Sequence, residues 1–149
     1  MTIPPFQLPA ILTAIGGFIL VDGIWLGLVM RGFYRRQLAP IARMAGDGMA
    51  PLWWAALPVY VLLGVGIGIF VVPRADSPAS AAWLGGVFGL VVYGVYDLTN
   101  YSTLAHWPAA VTLADILWGV CAAAAGAAGV VALTSRGARS PRRTGPDRR

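Results

Sequence analysis

Three aspartates stand where a carboxylate is costly: Asp22, Asp97 and Asp115 each lie inside a long apolar run. Ionisable groups within membrane-spanning segments are rare, turn toward the bundle interior and mark functional sites by default. Two of the three share a local pattern, Asp22-Gly23-Ile24-Trp25 and Asp115-Ile116-Leu117-Trp118. A spacing of three puts acid and indole on one helical face, where the indole N–H can serve the carboxylate. Tyr93, Asn100 and Tyr101 fall within about one turn of Asp97. Asp22, Trp25, Tyr93, Asp97, Asn100, Asp115 and Trp118 are therefore the candidate lining of one acidic, aromatic-edged pocket. Its chemistry suits a cation, a lipid head group or a partner helix.

Each acid also has a plainer reading. Asp115 follows Thr112 by three, which fits a variant capping box at a helix start. Asp97 can lie at the water interface, although a helix C-terminus disfavours negative charge there. Asp22 is the deepest of the three, and no cap accounts for it. His106, the only histidine, precedes Trp107-Pro108 in a connecting segment and reads as solvated. The spacing of acids and histidine supports no metal site. No P-loop, GxSxG elbow or paired-histidine motif occurs, so haem and zinc are not indicated, and the sequence leaves any cofactor unknown. The lone Cys121 reads as a packing residue in an apolar helix.

Four apolar stretches must position these groups: about 8–30, 52–72, 81–100 and 112–134. Each has roughly the 20 residues a helix needs to cross a hydrocarbon core about 30 Å thick. Of the 149 residues 58% are hydrophobic and 11% charged, against about one quarter charged in soluble domains. There is too little polar surface to cover a water-soluble globule. The expected fold is all-α, an integral membrane bundle of four transmembrane helices over residues 1–134, followed by a disordered arginine-rich tail, 135–149. The first and third stretches run toward the same face and the fourth leaves from it, so all three acids fall in one half of the membrane. Gly64, Gly66 and Gly68 in the second stretch, Gly85, Gly86 and Gly89 in the third, and the Ala/Gly run from Ala122 to Gly129 suit close helix approach. Pro58 is a candidate kink. Ser77-Pro78 is a good N-cap and first-turn pair. Between the first two stretches, Phe33 to Met44 suggests either a short head-group helix interrupted near Pro40 or a plain connecting loop. Gly46-Asp47-Gly48 makes a turn, and Trp53-Trp54 an interfacial anchor.

The net charge of +5 comes from eleven arginines and six aspartates. Arg31, Arg35, Arg36 and Arg43 follow the first stretch and are candidate contacts to anionic lipid head groups. The tail carries six more. It has no aromatic residue to stack on bases, which argues against nucleic acid. Basic loops face the cytoplasm, and here both sides of a four-crossing chain compete for it. The orientation stays open, with a lean to a cytoplasmic first loop. The first stretch lacks a preceding basic residue and contains Asp22, so it does not read as a cleavable signal peptide.

At Val21-Asp22-Gly23-Ile24-Trp25-Leu26-Gly27, Phe33-Tyr34-Arg35-Arg36-Gln37-Leu38, Tyr96-Asp97-Leu98-Thr99-Asn100 and Trp107-Pro108 through Asp115-Ile116-Leu117-Trp118-Gly119, the chain resembles the bacterial predicted membrane proteins catalogued as domain of unknown function 2177. The resemblance covers about residues 8–134. It implies a four-helix, multi-pass protein of the bacterial inner membrane and carries no activity with it. Three functions compete: a binding or accessory protein, a small proton-coupled transporter of cations, and a lipid-modifying enzyme using Asp97, Asp115 and His106 as acid–base groups. In size and in its helix-one acid the chain resembles the small multidrug exporters, which implies a homo-oligomer. It lacks their glutamate.

Overall fold

The computed structural model describes residues 7–138 of the chain. Helix α1 spans Gln7–Ile24 and continues through a π-helical turn, Trp25–Val29. The chain breaks at Met30 (φ −110°, ψ 7°) and starts a short helix α2, Arg31–Leu38. Two antiparallel two-residue strands follow, β1 (Met44–Ala45) and β2 (Gly48–Met49). Gly46 makes their turn at φ 57°, a conformation side chains with a Cβ rarely adopt. Helix α3, Trp53–Gly66, continues through a π turn, Ile67–Val71, and a 3₁₀ turn, Val72–Arg74. Helices α4, Pro78–Thr103, and α5, Ala109–Ala138, complete the bundle.

Four segments are long and apolar enough to cross a bilayer: Leu8–Val29, Trp53–Arg74, Pro78–Thr103 and Ala109–Thr134, with mean hydropathies of 2.0, 2.4, 1.5 and 2.1. The third is the least apolar. The four expected crossings are all present. The third and fourth begin three residues earlier than expected, and the third runs three residues further. Residues 139–149, most of the expected tail, lie outside the described residues.

Small residues decide how the helices meet. A Cβ added at Gly64 of α3, or at Gly68 of the π turn that continues it, would run into Ile15 or Ile11 of α1. One at Gly85 or Gly89 of α4 would strike the backbone carbonyl of Ala123 or Gly119 on α5. The α4–α5 hairpin is consequently the most intimate pair, because lipid supplies no hydrophobic drive between helices and close van der Waals contact must do so. The core is correspondingly fine-grained: Ala10, Ala14, Ala81, Ala123 and Ala127 are buried with Phe18, Ile67 and Val130. Outward-facing Leu, Val and Ile side chains are exposed to what is the hydrocarbon region. Trp83 near the start of α4 and Tyr101 near its end are both exposed. The 18 residues between them rise about 27 Å, so they mark two interfacial belts across one bilayer. Trp53 and Trp54 are exposed at the start of α3, as an anchor pair requires.

One local expectation changes: Cys121 is exposed, so it faces lipid and is not a packing residue. Pro58, the candidate kink, lies inside α3. The Ser77 cap holds: its hydroxyl accepts from the Ser80 N–H, and the Ser80 hydroxyl accepts from the Ser77 N–H. Asp76 reinforces it by accepting from the Ser80 hydroxyl at 2.6 Å. That hydrogen bond, chiefly, holds the Asp76 carboxyl below the usual carboxylate range.

Candidate functional site

Asp22, Trp25, Asp115 and Trp118 meet at the end of the bundle where α1 arrives and α5 departs. Asp22 lies seven residues inside the end of its span and Asp115 six residues inside the start of α5. Both depths are about 10 Å. The helices are antiparallel and both carry Asp-x-x-Trp. The acid of each is therefore level with the indole of the other. The hydrogen bonds follow that level and not the helix. Trp118 Nε1 donates to Asp22 Oδ1 at 2.7 Å. Trp25 Nε1 donates at 3.3 Å to the phenol oxygen of Tyr34, and Tyr34 in turn donates to Asp115 Oδ1. Between these two arms the rings of Trp25 and Trp118 stack, centroids 4.1 Å apart and planes 2° from parallel. The expected pairing of each acid with the Trp on its own helix is thus replaced by a crossed one. The π turn begins at Trp25, a deviation often found at functional positions.

Tyr34 had no place among the sequence candidates. It is the only buried residue of α2, 3% exposed, on a helix whose Arg31, Arg35 and Arg36 all face out. Burial first, then its hydrogen bond to Asp115, pushes its phenol above the ordinary tyrosine range. The charges of Asp115 and Asp97 add to this, and the Trp25 N–H opposes it. The available signal was a single aromatic pointing inward from a basic helix, placed after a break.

Asp97 is fully buried, at 0% exposure. Among the described residues neither of its carboxylate oxygens has a hydrogen-bond partner, and the side-chain nitrogen of Asn100, one turn on, is buried and finds no partner there either. The interfacial reading of Asp97 therefore fails. Asp97 lies within electrostatic reach of Asp115, and Asp115 of Asp22. The ring of Tyr93 covers Gly119, where any side chain would collide with it, and lies within electrostatic reach of Asp22. The capping reading of Asp115 also fails, since α5 starts at Ala109 and Asp115 sits nearly two turns in. Thr112 instead accepts from the Trp107 indole at 3.1 Å. His106 is exposed in the α4–α5 connection. Among the described residues the acids meet indole and hydroxyl donors and no arginine. No three acids, histidines or cysteines there are arranged to hold a metal ion.

The four first-loop arginines, Arg31, Arg35, Arg36 and Arg43, are all exposed at this same end. Arg35 alone has a structural task, donating to the Asp47 carbonyl at 3.2 Å. An apolar groove elsewhere, lined by Val59, Leu62, Leu63, Phe88 and Val92, faces lipid between α3 and α4.

Four apolar crossings, a core of small residues and buried acids at one end define a multi-pass α-helical membrane protein. The chain belongs to the family described as Predicted membrane protein (DUF2177), which matches residues 8–132. Neither the curated proteins nor the solved structures contain a match to it.

Proposed function

We propose that this is a bacterial inner-membrane protein whose acidic and aromatic cluster binds a cationic group entering from the face of the arginine-rich first loop. An all-α bundle supports that membrane, because outer-membrane spanning proteins are closed barrels. The single observation that carries the binding role is Asp97. A buried carboxylate without a partner is among the costliest arrangements a protein can hold. Groups of this kind at membrane depth belong to ligand and ion pathways. A cation offers both oxygens the partner they lack. The exposed arginines beside the site bind anionic head groups and fix the depth of this end of the bundle.

The transporter reading makes Asp22 the exchanging acid. Its tie to Trp118 favours a fixed, structural Asp22, and the acid left without a hydrogen-bond partner among the described residues is Asp97. The enzyme reading lacks a nucleophile near the acids, and His106 points to solvent.

Thermal unfolding of the full chain in nanodiscs tests the role. Ethylammonium and tetramethylammonium ions are compared with a neutral alcohol of similar size. A bound cation at 100 times its Kd stabilises by about 2.7 kcal/mol. The expected result is a cation-dependent rise in the midpoint that Asp97→Asn removes. No rise with either cation, or an equal rise in Asp97→Asn, refutes the proposal.

A further inference from the structure

We infer that the group the cluster admits is a primary ammonium, and that Tyr34 is the latch this group displaces; the inference rests on the binding role proposed above. Three observations carry it. First, α2 is fastened to the bundle through one buried side chain. It is set off from α1 by the break at Met30, and of its eight residues Tyr34 alone is buried. A segment with so few buried contacts opens at low cost. Second, the phenol already plays a ligand's part. It donates a hydrogen to Asp115 Oδ1 and lies within electrostatic reach of Asp97. Its departure frees that Asp115 oxygen, and Asp115 lies within electrostatic reach of Asp97, whose two oxygens have no partner among the described residues. An ammonium group has three N–H donors and no acceptor, which matches three acceptor oxygens. Third, the aromatic pair is shut. Trp25 and Trp118 lie face to face at 4.1 Å, so their inner faces cannot form the open cage that recognises a quaternary ammonium. Recognition falls to N–H donors on carboxylate.

Such an ammonium can be a free amine or the head group of an aminophospholipid, and the experiment separates the two. The full chain, with Cys121→Ala and a spin label at Arg36→Cys on the exposed side of α2, is placed in phosphatidylcholine nanodiscs. Label mobility is followed while ethanolamine, tetramethylammonium or ethanol is added. A second set of discs contains phosphatidylethanolamine. Mobilisation of α2 by ethanolamine supports a free-amine ligand. Mobilisation only in the phosphatidylethanolamine discs supports a head group. Tetramethylammonium and ethanol should leave the label unchanged.

Tyr34→Phe should mobilise α2 without ligand and tighten ethanolamine binding roughly ten- to twentyfold, the worth of one strong interhelical hydrogen bond in a membrane. Should that variant not fold, Trp25→Phe removes the other bond on the phenol and should act in the same direction. Tetramethylammonium binding as well as ethanolamine, or ethanolamine binding with α2 still immobile, overturns the latch while leaving the binding role standing. Absence of any cation effect in the nanodisc melts removes the binding role itself.

Discussion

Tyr34→Phe tests the crossed hydrogen-bond arrangement most directly. The substitution keeps the ring, so it opens no cavity of consequence. It deletes two interactions: the hydrogen given to Asp115 and the acceptor offered to the Trp25 indole. Hydrogen bonds between membrane helices average about 0.6 kcal/mol and reach about 1.7. The Tyr34–Asp115 bond belongs near the top of that range, because its acceptor is a carboxylate and its donor is buried. The expected loss is about 2 kcal/mol. Unfolding in mixed detergent micelles or by steric trapping gives the single-variant value.

A double-mutant cycle with Asp115→Leu isolates the pair. Leucine is close to aspartate in shape and removes the acceptor whatever its own effect on stability. The coupling energy should be about 1–2 kcal/mol. Independent sites add to within about 0.3–0.5 kcal/mol, so a coupling inside that band means that the phenol and Asp115 do not meet, and the crossed arrangement is wrong.

Several other outcomes can be measured. Because the folded protein holds the Tyr34 phenol above its ordinary range, stability is full below about pH 10 and is lost as pH rises beyond it; alkaline unfolding curves should show this loss in the native chain and not in Tyr34→Phe. Gly89→Ala pushes a methyl into the Gly119 carbonyl and should cost about 1–3 kcal/mol. Gly94→Ala, with nothing within 4 Å of the added carbon, should gain up to about 1 kcal/mol from helix propensity; denaturant midpoints of the two variants should move in opposite directions. Cys121→Leu, on the lipid face, should stay within about 0.5 kcal/mol of the parent. The depressed Asp76 carboxyl gives support to the α4 N-terminus that is present above the ordinary carboxylate range and fades as pH falls through its lowered value; amide exchange over residues 78–82 should accelerate in acid, and Asp76→Asn should abolish that pH dependence.

Much of the architecture could be read from the residues because hydrocarbon is an unforgiving solvent. Span length and apolarity alone placed all four crossings; of the glycines named for close approach, 64, 66, 68, 85 and 89 are places where a side chain would collide with a neighbour, whereas Gly86, Gly126 and Gly129 are not, and Gly119, which also would, was not named. The interior of the site was less legible. Asp22 and Trp25 share a helical face, and intrahelical spacing invites their pairing; the partner that prevails is Trp118, 96 positions away. That choice depends on the relative height of two antiparallel helices, which no single-helix pattern contains. Tyr34 was hidden for a related reason. Its helix is too short and too basic to signal a buried face, and its burial comes from the break at Met30 that turns α2 back onto the end of the bundle.

The crossed repeat also explains why the three acids are unequal. The antiparallel Asp-x-x-Trp segments bring acids and indoles to matching heights, so that Trp118 serves Asp22 directly and Trp25 meets the Tyr34 phenol that serves Asp115. The α4 segment breaks the pattern. Tyr96-Asp97-Leu98-Thr99-Asn100 offers an amide where the other two offer an indole, and among the described residues no neighbouring helix brings a donor to Asp97. Its two oxygens are left over by the geometry that serves the others. If the third acid had only to be tolerated, asparagine at 97 would be the less costly residue, with one hydrogen-bond acceptor and no charge. A carboxylate is the better choice where a positive group arrives from outside the fold. On that reasoning Asp97→Asn should leave the native helix packing intact and raise stability without ligand. A lower stability in the unliganded variant would show that Asp97 already has a partner within the bundle.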